Sequence, residues 1–388
     1  MQVTNSYMKY TLFISTLTVA LIGSGSANAG TGYIATPGSD MSDPPSSVYG
    51  AYSNESAVSG GALQIYADDS PGLPEVISRA YGGYAGLKGS SVECCTVVMS
   101  GGTIESLYGG FSNDGSANNN IVIVSGGNVS SVNGGRASLG GASAAVASGN
   151  KVIVTGGSVD ELYGGRANTG TATGNIVYVT GGSCGIVYGG SAGLIGTNQN
   201  NQVHLVGAGA SVTVDDVKYA GHQLQVSRVA AGKVLGAPNS NSIDIYGTEI
   251  IAASLNDFGC LNFHMVAAQL TGVSPMVTIT ESDGFSLTEN LALSFDALEN
   301  MEWEPGDSVT LVEAQNGMSI ASEVLAKEYN IYQNGDPEKI LATARLVLED
   351  SQNSTQLLKL TVQGVPEPAT GTLSLLALAA LAVRRRKK

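Results

Sequence analysis

Basic side chains are few in this 388-residue chain, where 18 lysines and arginines stand against 32 acids. Six of the bases lie at the two ends (Lys9 and the run Arg384–Lys388), leaving a net charge of −20 between residues 30 and 368. Such a chain repels phosphate backbones and anionic lipid, which argues against nucleic-acid binding. Histidine is nearly absent, and His204, His222 and His264 show no ligand spacing, so no metal site is expected. No D-x-D-x-D-G loop accompanies the acids, which read as a solvated surface rather than a calcium site. The four cysteines, Cys94, Cys95, Cys184 and Cys260, give no disulfide framework. Long apolar runs are missing too: 13 residues at Thr11–Gly23 and 15 at Ala369–Val383 fall short of the ~20 that span a bilayer. Charge is only 13% of residues, but 43% are hydrophobic, which is enough for a core and excludes disorder by charge repulsion.

What the chain does have is glycine, 52 residues of it, arranged in a repeat. Four copies align without gaps: TVVMSGGTIESLYGG (96–110), IVIVSGGNVSSVNGG (121–135), KVIVTGGSVDELYGG (151–165) and IVYVTGGSCGIVYGG (176–190). Their first glycines, at 101, 126, 156 and 181, lie 25, 30 and 25 residues apart. Weaker copies flank them at 62–67 with 80–85, 202–207 and 242–247. Each copy opens with a period-2 strand. Leu63, Val97, Val122, Val152, Val177, Val203 and Ile243 hold one inward position. Ile65, Met99, Val124, Val154, Val179, Leu205 and Ile245 hold the next. A lone strand of this kind cannot bury its face, whereas seven stacked turns make an interior about 34 Å long. Just before the strands stand Asn120, Asn150, Asn175, Asn201 and Asn241, with Cys95 in that place in the first full copy. Such a column can hydrogen-bond from layer to layer. The expected fold is therefore all-β: a β-solenoid (parallel β-helix) of about seven rungs over 61–255, preceded by an N-terminal segment at 30–60. An acidic β-rich cap or second domain follows at 256–362, since residues 281–350 carry 15 acids and three bases.

The ends read as addresses. Lys9, the short apolar run and Ala27-Asn28-Ala29 form a secretory signal peptide over 1–29, with signal peptidase leaving Gly30 as the new N-terminus. At the other end, Val365-Pro366-Glu367-Pro368 precedes the apolar helix and the basic stop. These last 24 residues resemble the PEP-CTERM tail of Gram-negative bacteria. The resemblance implies cleavage by an exosortase-type membrane protease near Pro366–Pro368, and release or attachment at the cell surface after a transient stay in the inner membrane. The V-x-V-[ST]-G-G and Y-G-G spacing of the repeats is similar to the β-helical passenger regions of autotransporter-type adhesins, though no β-barrel translocator follows.

No catalytic centre stands out. The outward positions of the first strands offer one acid, Asp244, and one lysine, Lys151, three layers apart; Glu302, Glu304 and Asp307 in the cap are the other acids weighed. The surface that draws attention is an apolar outward strip of Val98, Ile121, Ile123, Ile153, Ile176 and Tyr178, either a contact face or a patch covered from within. Tyr81, Tyr108, Tyr163 and Tyr188 form a second column, interrupted by Asn133. The sequence therefore points to an exported, non-enzymatic surface or extracellular-matrix protein without cofactors. It would act in adhesion or polysaccharide association, with an extracellular polysaccharide or host glycan as partner. The alternatives are a polysaccharide lyase or hydrolase on the same scaffold, a structural coat, or ice binding. The last is disfavoured because Ser100, Ser125, Thr155 and Thr180 make only one hydroxyl column.

Overall fold

The computed structural model describes residues 30–35, 47–68, 75–138, 145–193, 196–232, 239–269, 274–282, 284–298, 301–351 and 354–366. The expected signal peptide, with Ala27 and Ala29, lies outside these residues, as does the sorting tail from Glu367 and Pro368 onward. Regular structure is almost all strand. Helical pieces are short, such as Ser322–Ala326 and a 3-10 turn at Ala267–Gln269.

The strands stack in parallel columns, because each copy of the repeat contributes the same strands in the same order. The first column runs through Ala62–Asp68, Thr96–Met99, Ile121–Val124, Lys151–Val154, Ile176–Val179, Gln202–Val206 and Ser242–Tyr246. The second holds Ser47–Tyr49 with Tyr52–Ser53, then Ile77–Ala85, Thr103–Ser112, Asn128–Ala137, Ser158–Ala167, Ser183–Ala192, Leu224–Ala230 and Ile250–Asn256. A third, of short strands, runs from Val58–Ser59 through Val92–Glu93, Ala117–Asn118, Val146–Ser148 and Thr171–Thr173 to Thr197–Gln199.

Register follows the alternation of apolar residues. Leu63, Val97, Val122, Val152, Val177, Val203 and Ile243 are paired one to the next, and all are buried. So is the line from Ile65 to Ile245. Second-column residues such as Leu107, Val132, Leu162 and Val187 complete the same core. Each buried Val or Leu contributes roughly 1.5–3 kcal/mol, and a slip by one residue would turn every one of them outward.

The composition change near residue 256 does not interrupt the stacking. Cys260–Met265, Ala292–Ala297 and Glu328–Gln333 add to the first column, and Val277–Ile279 and Ser308–Ala314 to the second, all in parallel. Larger side chains fill this part, with Phe263 stacked on Phe295 and with Phe285 and Trp303 buried. The ends turn antiparallel. Gly30–Ala35 lies along Ala62–Asp68 at one end of the first column. At the other, Asp336–Asp350 pairs with Glu328–Gln333 and with Gln356–Gly364, which in turn pairs with Ser308–Ala314. One terminal hairpin thus joins the last strands of both long columns and covers edges that would otherwise template aggregation.

Candidate functional surfaces

The corner before the first column sets the position of everything outside it. Asn120, Asn150, Asn175, Asn201 and Asn241 are fully buried there. Each Nδ2 donates to the Oδ1 of the next asparagine, at 2.9, 2.9, 2.8 and 3.0 Å in chain order. Each Oδ1 also accepts the main-chain N–H of the residue one rung earlier, beginning with Cys95 at 3.0 Å. Opposite the ladder runs the second glycine of each Y-G-G or N-G-G. A Cβ on Gly165 would stand 2.4 Å from Asn175 Cγ, and one on Gly135 2.5 Å from Asn150 Cγ. The asparagine fills the space a side chain would need, so the two motifs require one another. In the first full copy Cys95 takes the asparagine's place against Gly83, and burial pushes its thiol up to about 12.

The outward face of the first column changes character along its length. Val98, Ile121, Ile123, Ile176 and Tyr178 are half-buried, while Ile153 is only 2% exposed. Ile153 therefore drops out of the expected contact strip. Beside this face an insertion between Val206 and Leu224 lengthens the asparagine spacing to 40 residues. Within it Ser211–Val214 and Val217–Ala220 form a hairpin whose turn residue Asp215 meets Lys151 Nζ at 2.6 Å. The hairpin turn thus reaches this face at Lys151, and burial followed by the Asp215 charge raises the Tyr178 phenol.

Farther along, the same face becomes polar. His264 lies between two carboxylates, with Nε2 at 3.1 Å from Asp244 Oδ1 and Nδ1 at 3.3 Å from Asp296 Oδ2. Asp244 also accepts from Asn262 Nδ2 at 2.9 Å and Ser242 Oγ at 3.0 Å. Tyr246 stacks on the His264 ring at 4.1 Å, and its hydroxyl meets His204 Nδ1 at 3.2 Å. Burial lowers the basicity of His264, but hydrogen bonds and charge from Asp244 and Asp296 outweigh it and raise the pKa. Burial raises Asp244, and its histidine and asparagine partners more than reverse this, holding it below the usual carboxylate range. Burial lowers His204, with Asp244 opposing in part. Sequence spacing gave no hint of this cluster, because its members meet only through the parallel register of four strands. Both ring nitrogens of His264 are occupied. Among the described residues no three His, Cys, Asp or Glu side chains converge as a metal site.

The outward face of the second column carries two aromatic lines, one on each side of the Gly-Gly kink. Tyr49, Tyr81 and Tyr108 stack at 5.0 Å centroid spacing; Asn133 interrupts them, and Tyr163 and Tyr188 resume at 5.0 Å. Beside them Tyr52, Tyr84 and Phe111 stack at 5.3 and 5.5 Å. Arg136 and then Arg166 continue this second line in register. The Arg136 guanidinium lies 5.7 Å from the Phe111 ring centre and donates from Nη1 to the Tyr108 hydroxyl at 3.2 Å. Arg166 covers Tyr163 at 5.0 Å. Burial first, and then the Glu161 charge, push the Tyr163 phenol up to about 12.

The chain is almost wholly β, with parallel strands stacked along it and aromatic and apolar lines on its outside. Its C-terminus is more specific: residues 364–388 match the PEP-CTERM protein-sorting motif. That motif marks an exported protein sorted to the cell surface through exosortase processing. Val365 and Pro366, the described part of the segment, are exposed just past the last strand, Gln356–Gly364. Neither a curated protein nor a solved structure matches the chain.

Proposed function

We propose that the chain is a non-enzymatic component of the bacterial surface or extracellular matrix, built as a β-solenoid whose outer faces associate with polysaccharide. The observation that carries this reading is the sorting motif beginning at residue 364, where the last strand ends, so that a finished β body is followed directly by an address. Signal peptidase would cut after Ala29 and the exosortase-type protease near Pro366–Pro368. The likeness of the repeats to autotransporter passenger regions supports adhesion, as does a fold that repeats one outer surface at every rung. The test is binding of the chain to a panel of mucins, host glycans and bacterial exopolysaccharides, with released reducing ends assayed in the same wells. Saturable binding without release is expected. Silence in both channels would leave a structural coat as the function.

One observation favours a second reading, a carbohydrate-active enzyme. Asp244, His264 and Asp296 bring two carboxylates and an imidazole together on the outward face of a β stack. In that reading reducing ends appear in the assay, and Asp244→Asn abolishes them.

A further inference from the structure

Resting on the reading that the chain associates with polysaccharide, we propose that the binding face is the outer side of the second column and that its ligand is an anionic, uronate-bearing polysaccharide. The chain would lie along the stack. Rings spaced 5.3 and 5.5 Å apart on the Tyr52–Tyr84–Phe111 line present a flat apolar ladder to successive sugar rings. These three residues are half-buried; Tyr84 stacks between Tyr52 and Phe111, so the line presents ring edges rather than a free ring face to solvent.

Charge decides the class of sugar. The body of this protein is strongly acidic, yet no carboxylate stands in the two aromatic lines themselves from Tyr49 to Ser191; Glu161 reaches the tyrosine line from beside it, accepting from the Tyr163 hydroxyl at 3.2 Å. Four of the five arginines between residues 30 and 364 (Arg79, Arg136, Arg166 and Arg228) project from second-column strands. Arg228 is paired with Asp257 at 3.4 Å. Among the described residues Arg136 and Arg166 form no ion pair, and they rest on aromatic rings instead. Arg136 Nε and the side-chain Oδ1 of Asn133, both buried where the tyrosine line is broken, have no hydrogen-bond partner among those residues. A guanidinium fork can take a carboxylate in charge-assisted, two-point hydrogen bonds, and Arg136 and Arg166 stand in register on adjacent strands within 5.7 and 5.0 Å of ring centres. Two such forks one rung apart suit a polymer with a carboxylate on every sugar.

The test is affinity electrophoresis of the full chain in gels containing polygalacturonate or alginate, with methyl-esterified polygalacturonate as the uncharged control. Retardation is expected in both acidic polymers and not in the ester, and it should weaken as salt rises. The double variant R136Q/R166Q should lose at least about tenfold in affinity, since charge-assisted pairs are the stronger hydrogen bonds. Arg345→Gln, which removes one such charge on the terminal hairpin, should lose less than about twofold, as expected of an exposed surface charge. Far-UV circular dichroism and the urea midpoint would confirm that the variants are folded. Equal retardation of R136Q/R166Q and R345Q would overturn the assignment of this face while leaving polysaccharide association standing. Absence of retardation in both acidic polymers, or equal retardation by the ester, would overturn the ligand class. Failure of the whole glycan panel would instead bring down the underlying reading.

Discussion

Replacing Asn175 by alanine tests the corner ladder where it has neighbours on both sides. Its Oδ1 accepts from the Asn150 main-chain N–H at 3.1 Å and from Asn150 Nδ2 at 2.9 Å. Its Nδ2 donates to Ala147 O at 2.9 Å and to Asn201 Oδ1 at 2.8 Å. The variant loses all four. Asn150 Nδ2 keeps Ala117 O, and Asn201 Oδ1 keeps the Asn175 N–H, so those two groups stay partnered. The buried Asn150 N–H is left without an acceptor, a loss of about 1–3 kcal/mol, and each of the other three bonds is worth about 0.5–1.5 kcal/mol. Water entering the vacated corner recovers part of this, so the expected destabilisation is about 3–5 kcal/mol, near the top of single-residue effects. Equilibrium urea unfolding followed by far-UV circular dichroism measures it. Asn128→Ala, an exposed asparagine on the second column, serves as control and should change stability by less than about 0.5 kcal/mol. A loss below about 1 kcal/mol for Asn175→Ala would refute the ladder as the device that holds the corner.

Gly165→Ala should destabilise by about 2–4 kcal/mol through its clash with Asn175, and combining it with Asn175→Ala should give less than the sum of the two; strict additivity in the urea experiment would show that the two residues do not compete for one space. The His264 contribution is complete below its unfolded pKa of about 6.5 and fades as pH rises through its raised folded value, so His264→Gln should cost more stability at pH 6 than at pH 9. A gap that does not change with pH contradicts this, and because His204 shifts the opposite way, the variant comparison isolates His264 where the wild-type profile alone would not. Asp244, held below the usual range, should keep its contribution down to about pH 4 and lose it only in stronger acid, read from the urea midpoint of Asp244→Asn against wild type. Replacing Pro366, Glu367 and Pro368 by alanine should leave the tail attached, so that intact mass of the exported protein extends to Lys388 where the unaltered chain ends near the motif.

The parallel stacking was legible because two signals agree in the repeat. Val97, Val122, Val152 and Val177 recur at a fixed place in each copy, and an in-register stack is the arrangement that buries all of them at once. Beyond residue 256 the copies lose their glycine signature while keeping only the apolar alternation of Leu261 with Phe263 and Leu293 with Phe295, too short a pattern to set register. The acids there suggested a separate unit, yet they sit on outward and loop positions and leave the column's interior unchanged. The Asp244–His264–Asp296 cluster was illegible for a different reason. Its residues are 20 and 32 positions apart, and only the strand spacing in the stack brings them within hydrogen-bond reach. The placing of the inserted hairpin was hidden too, since it can fold over either neighbouring rung, and nothing in Ser211–Ala220 names Lys151 as its contact.

The pairing of asparagine with glycine explains how one scaffold carries such different outer faces. From Asn120 to Asn201 each corner is fixed by the same internal device, a buried amide facing a residue without a side chain, and neither member reaches solvent. The outward positions are therefore relieved of holding the register and can vary from rung to rung. On the first column they run from Ile123 and Ile153 through Tyr178 and His204 to Asp244, a change from aliphatic to charged over five neighbouring strands without a break in the pairing. On the second they run from Tyr84 and Phe111 to Arg136 and Arg166. Separating the residues that set the stack from those that face outward lets the register stay constant while the surface varies.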